Sequence, residues 1–311
     1  MKSFKRIIGA IIILIVVAFA AATWFFSGQI IAFAPRTDDQ IIAEKKFHDP
    51  SEFGVKPEEV TFTTREWADK NEGKTLTISG WFIPGASKDA PVFIVLHGKG
   101  DSRVGVVKYV GMLARAGYAV LAYDHRHHGH SEGKYATYGY YEGYDVSAAI
   151  DYLEKRGDCD IGRLGIMGES YGAAAAVMAA ARDPRIRILI EDSAYPDLAT
   201  VVADYGKALY GLPRFPLVDS ALFVAGLRAG FAPKDVSPIN EICAITVPTL
   251  IIHCTGDANI RPEYSQWMFN ACGADVKELH YFDGCTHTMG YEDHTDEYEA
   301  VVLGFIRKNM R

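Results

Sequence analysis

Short runs rich in apolar residues alternate with stretches of helical spacing along most of this chain. Such runs are typical of strands that are buried on both faces of a sheet, and the spacing between them predicts helices. The predicted strands cover residues 91–96, 118–123, 163–167, 186–192, 249–253 and 276–282, and the predicted helices cover 104–116, 144–155, 173–181, 262–271 and 297–308. This order predicts an α/β fold with a mostly parallel sheet and helices on both faces.

Two further runs, residues 60–64 and 76–83, alternate between apolar and polar positions. They predict an antiparallel strand pair at the start of the sheet, with a turn at Asn71-Glu72-Gly73. Residues 194–240 break the rhythm, because the segment is apolar, helical in character and too long for an ordinary connection. It predicts a cap inserted over the carboxyl edge of the sheet. The alternative is a pair of surface helices that do not contact the site.

The N-terminus differs from the rest of the chain. Lys2, Lys5 and Arg6 precede the uncharged residues 7–26, which form ~30 Å of helix, enough to cross a bilayer core. This run exceeds the ~7–15 apolar residues of a usual signal peptide, which favours a retained anchor. The flanking basic residues predict a single-pass protein with a cytoplasmic N-terminus and an exported domain. Secretion after signal-peptide cleavage is the alternative.

These patterns divide the chain into three parts. Residues 1–34 form the membrane anchor or signal peptide, and residues 60–311 form the folded domain with its cap. Between them, residues 35–59 are polar and contain three prolines. This composition predicts a linker that lifts the domain off the membrane.

Composition narrows the classes of function. The 311 residues carry a net charge of −7, which gives no reason to expect nucleic acid as a partner. None of the five cysteines forms a C-x-x-C pair, so zinc is not indicated. An exported domain would be compatible with one or two disulfides, and the odd count leaves at least one thiol unpaired within the chain. The spacing leaves the pairing open.

The candidate chemistry centres on a G-x-S-x-G motif, Gly168-Glu169-Ser170-Tyr171-Gly172, between a predicted strand and a predicted helix. In this setting the serine lies on a tight turn at the end of the sheet. The helix N-terminus supplies N–H donors and a positive dipole end for an oxyanion. Ser170 is therefore the candidate nucleophile.

A serine nucleophile needs a base, and the base needs an orienting acid. Asp257 and His287 each lie just after a predicted strand. Their order in the chain, Ser170 then Asp257 then His287, is the one expected for a G-x-S-x-G serine on an α/β sheet. Asp192 also ends a predicted strand and is the alternative acid.

Five motifs carry a resemblance to a known family. They are His97-Gly98-Lys99-Gly100, Asp124 with Arg126 and Gly129-His130-Ser131, Gly168 to Gly172, Gly256-Asp257, and His287. With these motifs the chain resembles α/β-hydrolases of the serine aminopeptidase and monoacylglycerol-lipase-like branch, from about Val60 to Met310. It also resembles prolyl-oligopeptidase-type catalytic domains. Departures at His127 and Cys254, where glycine is common, leave the reaction type alone and bear on substrate preference.

The resemblance and the chemistry together imply a role for each residue. Ser170 attacks a carbonyl, His287 takes and returns the proton, and Asp257 orients the imidazole. The backbone N–H groups of Lys99 and Tyr171 are expected to hold the oxyanion.

A group of histidines could instead indicate a metal site, because His-rich tracts bind metals. However, these residues fall in a loop that resembles a structural turn of the family. Neither a metal nor an organic cofactor is therefore expected. The histidines concerned are His125, His127, His128 and His130.

The sequence thus predicts a membrane-anchored serine hydrolase for a small-molecule ester. An apolar cap favours burial of an acyl group, and short or medium chains are the predicted preference. The first alternative is a serine peptidase, aminopeptidase-like or prolyl-oligopeptidase-like, which would need a carboxylate near the cap to bind a substrate amine. Asp197, Asp204 and Asp219 are available for that purpose. The second alternative is a catalytically silent, membrane-anchored binding protein of the same fold.

Overall fold

A computed structural model describes residues 2–66 and 74–310, and these residues form one sheet of eight strands. The strands are β1 (Glu58–Arg65), β2 (Thr75–Ile83), β3 (Pro91–Leu96), β4 (Ala119–Tyr123), β5 (Asp160–Glu169), β6 (Ile186–Asp192), β7 (Thr249–Cys254) and β8 (Lys277–Phe282). Their order across the sheet is β1-β2-β4-β3-β5-β6-β7-β8. Only the pairs that involve β2 are antiparallel, so the mostly parallel sheet is confirmed. The turn predicted at residues 71–73 lies outside the described residues.

Helices cover both faces of the sheet. They are α1 (Lys2–Ile31), α2 (Asp38–Glu44), α3 (Val107–Arg115), α4 (Glu142–Arg156), α5 (Tyr171–Ala180), α6 (Leu198–Tyr210), α7 (Asp219–Ala229), α8 (Pro238–Glu241), α9 (Glu263–Ala271), α10 (Gly290–Asp293) and α11 (Thr295–Asn309). Alternate side chains of each central strand enter opposite layers. In β3, for example, Phe93 and Val95 pack on the side of α3 and α11, whereas Val92 and Ile94 pack on the side of α4 and α5.

Helices α6 and α7 lie within the segment that the sequence predicts as a cap. The two helices bury Leu198, Val201, Leu222 and Ala225 in one apolar cluster. The buried Tyr171, which directly follows Ser170, belongs to the same cluster. The cap therefore packs directly against the start of α5.

Helix α1 is long and apolar enough to cross a membrane, with a mean hydropathy of 2.7 in its most apolar window. Most of the helix is exposed, but its last turns pack on the domain. Ser27, Ile30 and Ile31 are buried there, and the main contact of α1 is with α7. The apolar helix and the cap therefore touch directly.

Residues 35–59, which the sequence predicts as a linker, contact the folded domain at several points. Helix α2 buries Ile41, and Phe53 packs so tightly on Gly111 that no Cβ would fit there. The Arg36 guanidinium donates to the Gly100 carbonyl oxygen at 3.2 Å and to Asp101 at 3.0 Å. A few apolar anchors in a polar segment are enough to fix it, although they are too sparse to produce a recognisable period.

Candidate active site

Ser170 lies at a sharp turn between β5 and α5. Its backbone has φ 53° and ψ −114°, a conformation that side-chain-bearing residues rarely adopt. The flanking glycines make this turn sterically feasible. A Cβ on Gly168 would lie 2.3 Å from the Gly172 carbonyl oxygen, and one on Gly172 would lie 2.4 Å from the Leu96 carbonyl oxygen. The G-x-S-x-G spacing is thus explained by close packing of β5, α5 and β3.

Three side chains from separate loops form a hydrogen-bonded chain at the carboxyl edge of the sheet. The Ser170 hydroxyl lies 2.9 Å from Nε2 of His287, and Nδ1 of His287 lies 2.6 Å from Oδ2 of Asp257. In the tautomer with hydrogen on Nδ1, His287 donates to Asp257 and can accept the serine proton. The residues predicted from the sequence are brought together in the geometry of a nucleophile, a base and an orienting acid.

The Asp257 carboxylate is held from several directions. Its Oδ1 accepts from the backbone N–H groups of Asn259 at 2.8 Å and Ile260 at 2.9 Å. Its Oδ2 also lies 3.1 Å from Nε2 of His253, which is fully buried. Burial alone would raise the pKa of Asp257, but hydrogen bonds from His253 and His287 hold that pKa well below its usual range. Asp257 is therefore ionised and fixed in orientation.

A disulfide joins the two loops that carry Asp257 and His287. Cys254 ends β7 three residues before Asp257, and Cys285 lies two residues before His287. Their Cα atoms are 5.2 Å apart, within the usual range for a disulfide. A hydrogen bond of 3.0 Å from the Gly256 N–H to the Cys285 carbonyl oxygen reinforces the link. The pairing that the sequence left open is thus assigned, and it lies next to the site.

The loop after β3 approaches the serine closely. A Cβ on Gly98 would lie 3.8 Å from the Ser170 Cβ, so the backbone of this loop borders the nucleophile. Within the described residues, the N–H groups of Lys99 and Tyr171 have no backbone acceptor outside helices and strands. Two such N–H groups close to a serine are able to donate hydrogen bonds to an oxyanion. The assignment of Lys99 and Tyr171 as the oxyanion hole stays a prediction.

A buried ion network includes Glu169, the residue next to Ser170. The Lys108 ammonium is 3.2 Å from both Glu169 and Glu292, and it donates to the Thr288 carbonyl oxygen at 2.7 Å. Burial opposes its charge, but Glu169 and Glu292 hold the pKa of Lys108 above its ordinary value. Glu169 directly precedes Ser170, and Thr288 directly follows His287. Lys108 therefore connects the segment that carries Ser170 with the segment that carries His287.

The histidines near residue 130 have structural contacts. The backbone N–H of His125 donates to Nε2 of His97 at 2.9 Å, and burial lowers the pKa of His125 well below its ordinary value. His127 contacts the Phe33 carbonyl oxygen at 2.8 Å, and His130 contacts Asp38 at 3.0 Å. Among the described residues, no three His, Cys, Asp or Glu side chains are grouped as a metal site would require.

The carboxylates at the end of β6 have hydrogen-bond partners other than His287. Asp192 accepts hydrogen bonds from the hydroxyls of Tyr109 at 3.0 Å and Tyr298 at 2.7 Å, and Asp257 occupies the position beside His287. The neighbouring Glu191 is fully buried, and this burial raises its pKa to about 7. One oxygen of Glu191 accepts from the Ala194 N–H at 2.9 Å.

A cavity of about 510 Å³ opens beside Ser170 and His287. One wall comes from the cap and another from the end of α1 with the residues that follow it. Apolar and aromatic side chains dominate the lining, together with a few charged groups from residues 36–45 and 99–101. This volume lies within the ~300–1,000 Å³ usual for small-molecule sites.

Sequence reasoning did not identify three of these features. His253 belongs to an apolar strand and to no motif, yet it contacts Asp257. Lys108 lies in a helix with no motif, and its partners are distant in sequence. The sequence contains one weak indication that α1 contributes to the cavity: Phe26 and Phe33 are aromatic residues near the end of an apolar run.

Part of the sequence matches a known family. The family model for X-Pro dipeptidyl-peptidase (S15 family) matches residues 37–218. The Bacillus subtilis (strain 168) protein YqkD, described as uncharacterized, is 29% identical over 311 residues, which is 98% of this chain and 97% of that protein.

Solved structures share the fold. The esterase Pf2001 of Pyrococcus furiosus superposes with a TM-score of 0.71 at 24% identity, over 90% of this chain and 99% of that one. The acylaminoacyl peptidase of Pyrococcus horikoshii superposes with a TM-score of 0.63 at 17% identity, over 88% of this chain and 43% of that one. At such identities the likeness shows the fold alone. The α/β-hydrolase fold implied by the resemblance is confirmed.

We expect removal of the disulfide to weaken both the fold and the site. In the Cys254→Ala/Cys285→Ala variant, loss of a cross-link over 31 residues should cost about 3–4 kcal/mol of stability. Catalytic turnover should fall at least about tenfold, because an active-site misplacement of 1 Å can cost that much or more. Thermal unfolding and hydrolysis of ester and amide substrates, each compared with Cys243→Ala, measure the two effects. Unchanged unfolding and turnover would contradict the prediction.

We expect Glu191 to make stability fall between about pH 4.5 and pH 7. Its folded-state pKa of about 7 lies above the ordinary value of 4.5, so the folded state binds the proton more tightly and loses stability as pH rises. The loss is on the order of 3 kcal/mol. Glu191→Gln mimics the neutral acid, so its melting temperature relative to wild type should rise from pH 5 to pH 8. A pH-independent difference, or an equal trend in Glu278→Gln on the exposed edge of β8, would refute this.

Proposed function

The chain belongs to the X-Pro dipeptidyl-peptidase (S15) family and is a hydrolase, and we propose that it is a membrane-anchored serine esterase. The observation that carries the proposal is the hydrogen-bonded chain from Ser170 through His287 to Asp257. A serine with no adjacent base is a weak nucleophile, whereas this one can lose its proton as it attacks.

Hydrolysis would proceed in two steps. In the first, Ser170 Oγ bonds to the substrate carbonyl carbon and its proton passes to Nε2 of His287. The bond to the leaving alkoxide then breaks, and the proton on His287 passes to the alkoxide oxygen, which departs as the alcohol. In the second, water attacks the acyl-enzyme carbon as it loses a proton to His287. The bond from that carbon to Ser170 Oγ then breaks, His287 returns the proton to Oγ, and the acid leaves. The N–H groups of Lys99 and Tyr171 would stabilise each oxyanion, and one such donor contributes roughly 3–4 kcal/mol in comparable sites.

The charges in the cavity favour an ester over a peptide with a free N-terminus. A peptidase of the amine-binding kind needs an unpaired carboxylate, but Asp101 and Glu169 in the cavity wall are already paired with cations. Lys99 also lines the cavity, and within the described residues it has no carboxylate partner and instead contacts the Phe33 and Tyr138 rings. An ammonium group would be repelled there, while a neutral or anionic ester would not.

The three cap carboxylates considered for amine binding are also engaged elsewhere. None is among the cavity-lining residues. Asp197 caps α6 through Thr200, Asp204 accepts from Tyr264, and Asp219 pairs with Arg214. The peptidase alternative rests on the family model and on the acylaminoacyl peptidase neighbour. The silent binding protein is disfavoured by the 2.9 Å contact between Ser170 and His287.

Two features support a retained anchor and an exported domain. Residues buried at the end of α1 belong to the cavity wall, so cleavage after Ala34 would remove part of the site. The Cys254–Cys285 disulfide suits an oxidising compartment, as found outside the cytoplasm. With Lys5 and Arg6 at the opposite end of α1, the N-terminus would stay in the cytoplasm.

We expect Ser170→Ala and His287→Ala each to lower hydrolysis by several orders of magnitude while the melting temperature changes little, because triad members act as a unit. Asp257→Asn should cost nearly as much by favouring the wrong imidazole tautomer. Asp192→Asn is the matched acid variant and should leave far more turnover.

The substrates for this comparison are p-nitrophenyl esters of increasing chain length, beside amino-acyl and prolyl amides. Turnover that depends on Ser170 should appear with the esters. If it appeared with the amides alone, the peptidase alternative would replace the esterase. If Asp192→Asn were the damaging acid variant, the assignment of Asp257 would be wrong.

We expect protease added to intact cells to digest the domain, and mass analysis to find residues 1–34 still attached. The reason is the basic flank of α1, which holds the N-terminus inside. Permeabilised cells provide the control for protease access. A protected domain in intact cells would contradict the proposed topology, and a mature chain that begins after residue 20 would indicate a signal peptide.

A further inference from the structure

The apolar helix at the N-terminus supplies part of the cavity wall. Phe26, Gln29 and Ile30 of α1 line the cavity, as does Phe33 just beyond the helix. Leu209 and other side chains of α6 and α7 line the opposite side. An acyl chain attached to Ser170 would therefore lie between the cap and the helix that is proposed to span the membrane.

The outer surface of the cap is unusually apolar. Nine large apolar side chains outside α1 are exposed among the described residues, and five of them fall within residues 209–227. We call these five the cap face: Leu209, Tyr210, Phe215, Phe223 and Leu227, with exposures of 53–77%. Large exposed apolar side chains concentrated in one segment favour contact with a protein or a membrane.

The cap face is continuous with the exposed part of α1. The Arg228 guanidinium stacks 4.2 Å from the Trp24 ring and donates to its carbonyl oxygen at 3.1 Å. The ring of Tyr210 contacts that of Phe26, 5.2 Å between centroids. Trp24, next to these contacts, is 61% exposed. Aromatic and arginine side chains in such a position are typical of the membrane interface.

This continuity decides between a membrane and a second protein as the occupant of the cap face. A spanning α1 would leave the bilayer at about Trp24, and the adjoining cap face would then lie at the bilayer surface. A separate protein would have to displace lipid from the same place. Burial of the cap face in the bilayer needs no additional partner.

We propose that the cap face inserts into the bilayer that α1 crosses, and that the cavity takes its substrate from that bilayer. The substrate class is an ester amphiphile whose acyl chain passes between α1 and the cap while its carbonyl carbon reaches Ser170. This inference rests on the proposed esterase function. It extends the acyl preference beyond the short or medium chains predicted from the sequence, because a substrate that resides in a bilayer needs a longer chain.

The test uses the full-length protein in phosphatidylcholine vesicles and two esters with one leaving group. p-Nitrophenyl butyrate is presented in water, and p-nitrophenyl palmitate is incorporated in the vesicles. Phe223→Ser/Leu227→Ser changes exposed side chains that do not line the cavity. We expect kcat/KM for the vesicle-borne palmitate to fall at least tenfold and kcat/KM for butyrate to stay within twofold. Trp267→Ser, an exposed aromatic outside the cap, should leave both within twofold.

A second measurement reports insertion without activity. In Phe223→Trp, the added fluorescence should be quenched by brominated phosphatidylcholine, whereas quenching should be weak for a tryptophan remote from the bilayer such as Trp267. Absence of quenching, or a cap-face variant that alters the oligomeric state instead, would assign the cap face to a second copy or another protein and overturn the proposal.

The outcomes separate this inference from the function beneath it. If the wild-type protein showed no Ser170-dependent turnover of either ester, the esterase function would be wrong, and the proposed substrate class with it. Ser170-dependent butyrate turnover, with equal effects of the cap-face variant on both esters, would overturn the membrane inference alone.

Discussion

The structure depends on how closely β5, α5 and β3 approach each other at the turn that carries Ser170. No side chain fits at Gly168 or Gly172, and this packing forces the serine into a backbone conformation that only a tightly enclosed residue keeps. The surrounding sheet, whose central strands are buried on both faces, stabilises this close packing. With Ser170 fixed, the parallel topology brings the ends of β7 and β8 to the same edge. Asp257 and His287 then need only short loops to reach it.

The buried charges around this turn have a common purpose. Lys108 contacts the segments on either side of the serine–histidine pair, and Asp257 is shared by two histidines. Buried ion pairs add little net stability, but removal of one partner leaves an uncompensated charge and is costly. Their value here is geometric, because each side chain has one arrangement that satisfies its partners.

Much of this could be predicted from the sequence, and the physical reasons are local. Buried parallel strands require continuous apolar runs, and the serine turn requires glycines at fixed positions, so both leave patterns in a short window. The Cys254–Cys285 pairing and the partners of Lys108 join residues far apart in the chain, and no local pattern encodes them. The packing of residues 35–59 leaves no local pattern for a related reason. Ile41 and Phe53 contact a core cluster formed by residues far from them in the chain, and the spacing of these two residues matches neither a helix nor a strand period.

The docking of residues 35–59 determines where the enzyme can search for substrate. A flexible chain of that length would have a root-mean-square end-to-end distance of about 25–30 Å. The domain could then move over that distance above the membrane. With the segment folded onto the domain and α1 in the bilayer as proposed, this reach is absent. The enzyme then explores its surroundings by lateral diffusion, in two dimensions and at fixed height. Its encounter rate would scale with the number of ester molecules per unit of membrane area, rather than with their concentration in the surrounding water.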